Sequence, residues 1–108
     1  MFAPITQDPR LLHSTSAIAV TAGQIGNSAG GAAGDTQLLQ VVILKNAGPA
    51  TLTIAGFRGE DGTARNVVLT GSASVDTIYN FAGLRNSAGP MTLTASVADT
   101  CLVAVVPS

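Results

Sequence analysis

No stretch of this chain keeps one pattern long enough to make a helix. Seven runs, residues 16–22, 37–45, 50–57, 65–70, 75–81, 91–97 and 101–106, each meet Gly, Pro, Asn or Asp within two residues of ending. A globular helix needs roughly 10–12 residues of 3.6-residue periodicity, and none of the runs provides it. Their period is two. Residues 91–97 put Met91, Leu93, Ala95 and Val97 on one face and Thr92, Thr94 and Ser96 on the other, and Leu52 and Ile54 likewise oppose Thr51 and Thr53. That alternation belongs to a strand with one buried face. Residues 37–45 (QLLQVVILK) and 101–106 (CLVAVV) are apolar on both faces, as in a central strand covered on both sides. In GEDGT, residues 59–63, Asp61-Gly62 is hairpin chemistry, because Gly accepts positive φ. The pattern predicts an all-β chain: an antiparallel β-sandwich, or a small barrel or jelly-roll, of about seven to eight strands.

One phrase occurs twice. LKNAGPATLT at residues 44–53 returns as LRNSAGPMTLT at residues 84–94, with Ser87 as the one insertion. Each copy reads as strand end, turn, strand start. Asn46 and Asn86 can bond their own turns. Gly48 and Gly89 relax the bend, and Pro49 and Pro90 enter the next strand without donating to a ladder. A hairpin duplicated at this spacing predicts two similar half-sheets facing each other, with loops that differ at the tip where Ser87 is added. The Thr-x-Thr pairs supply two rungs, too few for an ice-binding ladder.

With 108 residues the chain makes one domain. Pro4 and Pro9 favour an extended start, so residues 1–15 are expected as an arm and residues 16–108 as the β domain. Charged residues make up 10 % of the chain, against about 25 % in an average soluble domain. Surfaces so poor in charge suit a protein that works inside an assembly. The net charge is −1 and the charges are scattered, which argues against a nucleic-acid partner. MFAPITQDPR lacks a secretion-signal pattern, and no apolar run approaches membrane-spanning length. Cys101, the single cysteine, sits between Thr100 and Leu102. It reads as a small buried residue and fits a reducing compartment.

The residues of catalysis are sparse. His13 is the only histidine, so no multi-histidine metal site or two-histidine relay can form. Asp76 and Asp99 are the sort of separated acids that hydrolysis would need, but nothing in the sequence brings them together. Six acidic residues scattered over the chain are a poor basis for calcium. The glycine-rich residues 26–34 (GNSAGGAAG) precede a strand and lack a Lys, so a flexible loop is expected rather than a phosphate cradle. One Tyr, three Phe and no Trp do not furnish a sugar-binding or base-stacking platform. The expectation is no enzyme, no catalytic residues, no metal and no cofactor.

VVILKNAGPATLTIAGF and DTIYNFAGLRNSAGPMTLTASVADTCLVAVV resemble the small, low-charge β proteins of tailed bacteriophage virions, above all the capsid decoration (cement) proteins. The resemblance implies a virion structural subunit on the capsid surface, assembled in the host cytoplasm. Its partners would be the major capsid protein and copies of itself, a trimer first, with no nucleic acid and no membrane. Phe2, Pro4 and Ile5 of the arm and Val103 and Val105 of the last strand are the expected contacts, the valines standing equally well as plain core. A surface module recognising carbohydrate or a receptor through residues 26–34 and 59–63, and a tail or head–tail connector subunit, are the alternatives.

Overall fold

The computed structural model describes residues 9–108. Its elements are nine strands: β1 Arg10–Leu11, β2 Ile18–Thr21, β3 Gln24–Ile25, β4 Thr36–Ile43, β5 Thr51–Arg58, β6 Ala64–Thr70, β7 Thr77–Arg85, β8 Met91–Ala95 and β9 Cys101–Pro107. They form a four-stranded sheet in the order β1-β9-β4-β7 and a five-stranded sheet in the order β3-β2-β8-β5-β6. Every pairing is antiparallel. The chain is thus a β-sandwich, with all seven expected strands present. The two additions, β1 and β3, are two residues each, too short to leave a periodic trace in sequence.

Alternation sets what is buried. Val41, Ile43, Val103 and Cys101 from one sheet meet Leu52, Ile54, Met91 and Leu93 from the other, all at 0 % exposure. Each large aliphatic side chain so enclosed contributes roughly 1.5–3 kcal/mol. The doubly apolar runs are indeed central, β4 lying between β9 and β7, and β9 between β1 and β4. The N-terminal boundary differs from expectation. Arg10 and Leu11 pair with Val103 and Leu102, and Leu12 enters the core at 2 % exposure. The sandwich therefore takes up the chain by residue 10, ahead of the expected boundary at residue 15.

The doubled phrase is not a doubled hairpin. Its first copy leaves β4 in one sheet and enters β5 in the other, and its second leaves β7 and enters β8. Both are arches across the core. The buried residues after each proline, Ala50 and Met91, turn the chain inward where a hairpin would turn it back along its own sheet. β4 pairs with β7 and β5 with β8, so the copies share both sheets and do not each own a half.

Extending the alignment of the copies matches Gln40 with Asn80 and Thr53 with Thr94. These matched residues lie directly opposite each other, Gln40↔Asn80 in one sheet and Thr53↔Thr94 in the other. A local two-fold axis therefore runs through both sheets and exchanges the arches, placing them at opposite ends of the sandwich. Its outer neighbours break the symmetry: β4 gains β9, whereas β7 is left as an edge.

Candidate functional site

The turn-forming residues come first, because they decide which surfaces exist. Asn46 donates from Nδ2 to the Gly48 carbonyl at 3.1 Å, and Asn86 makes the equivalent bond to Gly89 at 2.6 Å. From that shared bond the copies diverge. Asn46 ends there, half-buried. Asn86 is fully buried; its Oδ1 accepts from the Thr36 N–H at 3.1 Å, and its Nδ2 also reaches the Ala32 carbonyl and Asp35.

Ser87, the inserted residue, docks the second arch on β5. Its N–H and that of Ala88 donate to the Gly56 carbonyl, and its Oγ accepts from the Arg58 N–H at 2.8 Å. Gly56 lies at φ 113 in an irregularity of β5, and a Cβ there would stand 2.9 Å from the Pro90 carbonyl oxygen.

Asp35 completes this polar knot. Burial alone would raise its pKa. Hydrogen bonds from the Ala32 and Ala22 N–H groups, the Thr36 hydroxyl and the Asn86 amide outweigh burial and hold the carboxyl below its ordinary value. The knot is structural, since its polar atoms bond one another. It also anchors part of the glycine-rich segment expected to be flexible: Gly34 donates to the Asn86 carbonyl, and Ala32 is held by Asp35. That segment and the residue 59–63 turn thus flank the second arch at one end of the sandwich.

Of the expected contacts, Phe2, Pro4 and Ile5 lie outside the described residues. Val103 and Val105 are 0 % and 6 % exposed and point into the core. They are buried by their own chain and unavailable to a partner in this conformation, because alternation along β9 turns odd residues inward. The outward residue between Cys101 and Val103 is Leu102. It stands in register with Leu11 on one side and Val42 on the other, and Val42 with Ile78. One aliphatic row thus crosses all four strands on the outer face, roughly 15 Å from end to end. Its ends are open, Leu11 at 45 % and Ile78 at 59 % exposure.

Charge is kept off these faces. β2, β3, β4, β8 and β9 contain no charged residue, and β5 and β7 carry one only at their last positions, Arg58 and Arg85. On the other sheet the outer face presents hydroxyls and methyls, with Thr53 between Thr94 and Val68, and Thr51 opposite Thr70. Sequence reading missed the aliphatic row. Its signal was the second apolar face of residues 37–45 and 101–106, read as covered, which the chain covers at Ala104 and Val106 and leaves partly open along the row.

A cleft of about 760 Å³ opens between the β1 and β3 edges, with Leu11, Ile18, Ile25 and Val105 beneath Arg10 and His13. His13 meets Asp99 at 3.0 Å, both largely exposed, an arrangement worth at most about 1 kcal/mol. Asp76 directly precedes β7 and accepts from the Lys45 N–H. Cys101 is buried at 0 % exposure, and burial pushes its thiol pKa up, with the Thr100 hydroxyl opposing. Among the described residues no three His, Cys, Asp or Glu side chains gather as metal ligands would. No family model, curated protein or solved structure matches this chain.

Proposed function

We propose that this chain is a structural subunit of a larger assembly and, on its resemblance in sequence, a decoration subunit of a phage head. One observation carries the reading: on the outer face of the four-stranded sheet the aliphatic row Leu11–Leu102–Val42–Ile78 is left partly open, its ends at 45 % and 59 % exposure, although Ala104 and Val106 on the same face of β9 are buried. The row Leu11–Leu102–Val42–Ile78 is what a neighbouring subunit would cover, and the scarcity of charge in the strands, confined to Arg10, Arg58, Arg65 and Arg85, lets many such contacts form with little like-charge repulsion. Copy number multiplies individually weak contacts in a lattice. The major capsid protein and further copies of the chain are the partners this reading names.

Co-sedimentation with expanded capsids tests it, with Leu102→Lys as the probe of the row and deletion of residues 1–8 as the probe of the arm. That deletion leaves β1 and Leu12 in place. Wild-type chain should sediment with capsids, and each variant should lose binding while keeping its far-UV spectrum. Chain that ignores capsids but is retained on a glycan array would instead support a surface recognition module. One observation favours that second reading: residues 26–34 and 59–63 come to the same end of the sandwich.

A further inference from the structure

A β-sandwich must protect the edges of its sheets, where unpaired N–H and C=O groups invite another strand. Among the described residues four strands are edges, β1 and β7 in one sheet and β3 and β6 in the other. Three are guarded by recognised devices. β1 and β3 are two residues long. β7 is bulged: between the pairs Gln40↔Asn80 and Leu38↔Leu84 it inserts Phe81, Ala82 and Gly83 opposite Leu39 alone, which turns the edge out of line.

β6 has no such guard. It runs seven residues, ARNVVLT, without Pro, and the irregularity in its ladder lies on β5, at Ala55-Gly56. Its one charge, Arg65, is engaged with Asp61 of the adjoining turn. The Gly71 N–H bonds the Ala50 carbonyl and Gly59 bonds Thr63, so the odd residues of β6 turn their backbone groups toward β5. Antiparallel alternation then leaves those of Ala64, Asn66, Val68 and Thr70 facing outward, and all four residues are exposed; the Thr70 carbonyl already accepts from the Tyr79 hydroxyl at 2.7 Å, so the open edge runs from Ala64 to Val68. Val68 on β6 and Val75 in the loop that follows it are 57 % and 60 % exposed.

We propose that β6 pairs antiparallel with β6 of a second copy of this chain, about a two-fold axis at Val67, joining the five-stranded sheets of two copies into one. In that register Asn66 faces the second copy's Val68 and Ala64 faces its Thr70; the two Asn66–Val68 pairs carry the ladder, because the Thr70 carbonyl is already bonded to the Tyr79 hydroxyl. Each Arg65 falls opposite Leu69, which leaves the two Arg65 Cα atoms about 13 Å apart along the strands, and each guanidinium is engaged with its own Asp61. An edge about 23 Å long and two layers deep buries on the order of 1,000 Å² in total, at the threshold for a specific interface. The dimer is therefore a weak one. It belongs to the chain alone and does not depend on a capsid.

Sedimentation velocity of the full chain over a concentration series tests the pairing, beside Val68→Lys and Asn66→Pro. Neither substitution touches the groups that bond β5, and far-UV spectra check that each variant folds. The expected result is a monomer–dimer equilibrium whose dissociation constant each variant raises by at least about tenfold. Val67→Cys, on the axis, should yield a covalent dimer on mild oxidation, whereas wild-type chain, with Cys101 buried, should not. A dimer or trimer indifferent to both substitutions overturns the proposal. So does chain that stays monomeric throughout and gives no covalent dimer as Val67→Cys, even if it captures a different protein through β6.

Discussion

Asn46 and Asn86 hold the same place in the same phrase, and replacing each with alanine should give very different losses. Asn86→Ala removes the acceptor of the Thr36 N–H, on a residue at 0 % exposure. A buried donor left without a partner costs about 1–3 kcal/mol. The substitution also removes the donor to the Gly89, Ala32 and Asp35 oxygens. Ala32 is exposed and its carbonyl can be rehydrated, while Gly89 is half-buried, so this part adds about 1 kcal/mol. A total near 3 kcal/mol is expected, against a stability of about 5–15 kcal/mol for an ordinary domain. Asn46→Ala loses one bond at a half-exposed turn, about 0.5–1 kcal/mol. Urea unfolding followed by far-UV circular dichroism measures both, provided the slope with urea is unchanged. In heat the difference is roughly 10–15 °C in Tm. Equal losses within about 0.5 kcal/mol would refute the reasoning, for then the knot around Asn86 contributes nothing beyond the turn itself.

Three further outcomes follow from the same geometry. Gly56→Ala forces a side chain into φ 113 and against the Pro90 carbonyl, so it should cost about 2–4 kcal/mol, whereas Gly62→Ala, with open space around it, should cost about 1 kcal/mol; paired urea titrations compare them. The Asp35 carboxyl is held below its ordinary pKa, so its stabilisation is present above about pH 4 and is lost as the pH falls through the lower folded value. Asp35→Asn should accordingly flatten the acid limb of stability against pH. Cys101, buried with its thiol pKa raised, should resist alkylation in the native chain and react at the unfolded rate in denaturant; rapid labelling of native protein would show that β9 opens locally.

The long strands were legible in the sequence because a period of two forces the decision locally. Once Leu52, Ile54, Met91 and Leu93 alternate with threonines, each strand has an inside and an outside whatever lies across from it. The hairpin at Asp61-Gly62 was legible for a similar reason, and its Gly62 does adopt φ 79. The contact surface was not. Val103 and Val105 looked as available as Leu102, because a run apolar on both faces does not reveal which face its own chain will cover.

The sequence alone therefore determined the element type, the length of the main strands and the matching Asn–Gly bond in the two copies, all properties of neighbouring residues. Tertiary structure decided that each copy crosses between sheets, that Gln40 meets Asn80 and Thr53 meets Thr94 across a local two-fold, and that Asn86 is buried where Asn46 is not. It also decided which edges are guarded. Those outcomes depend on pairings between residues distant in the chain, where burial of the whole, and not local backbone preference, selects among partners.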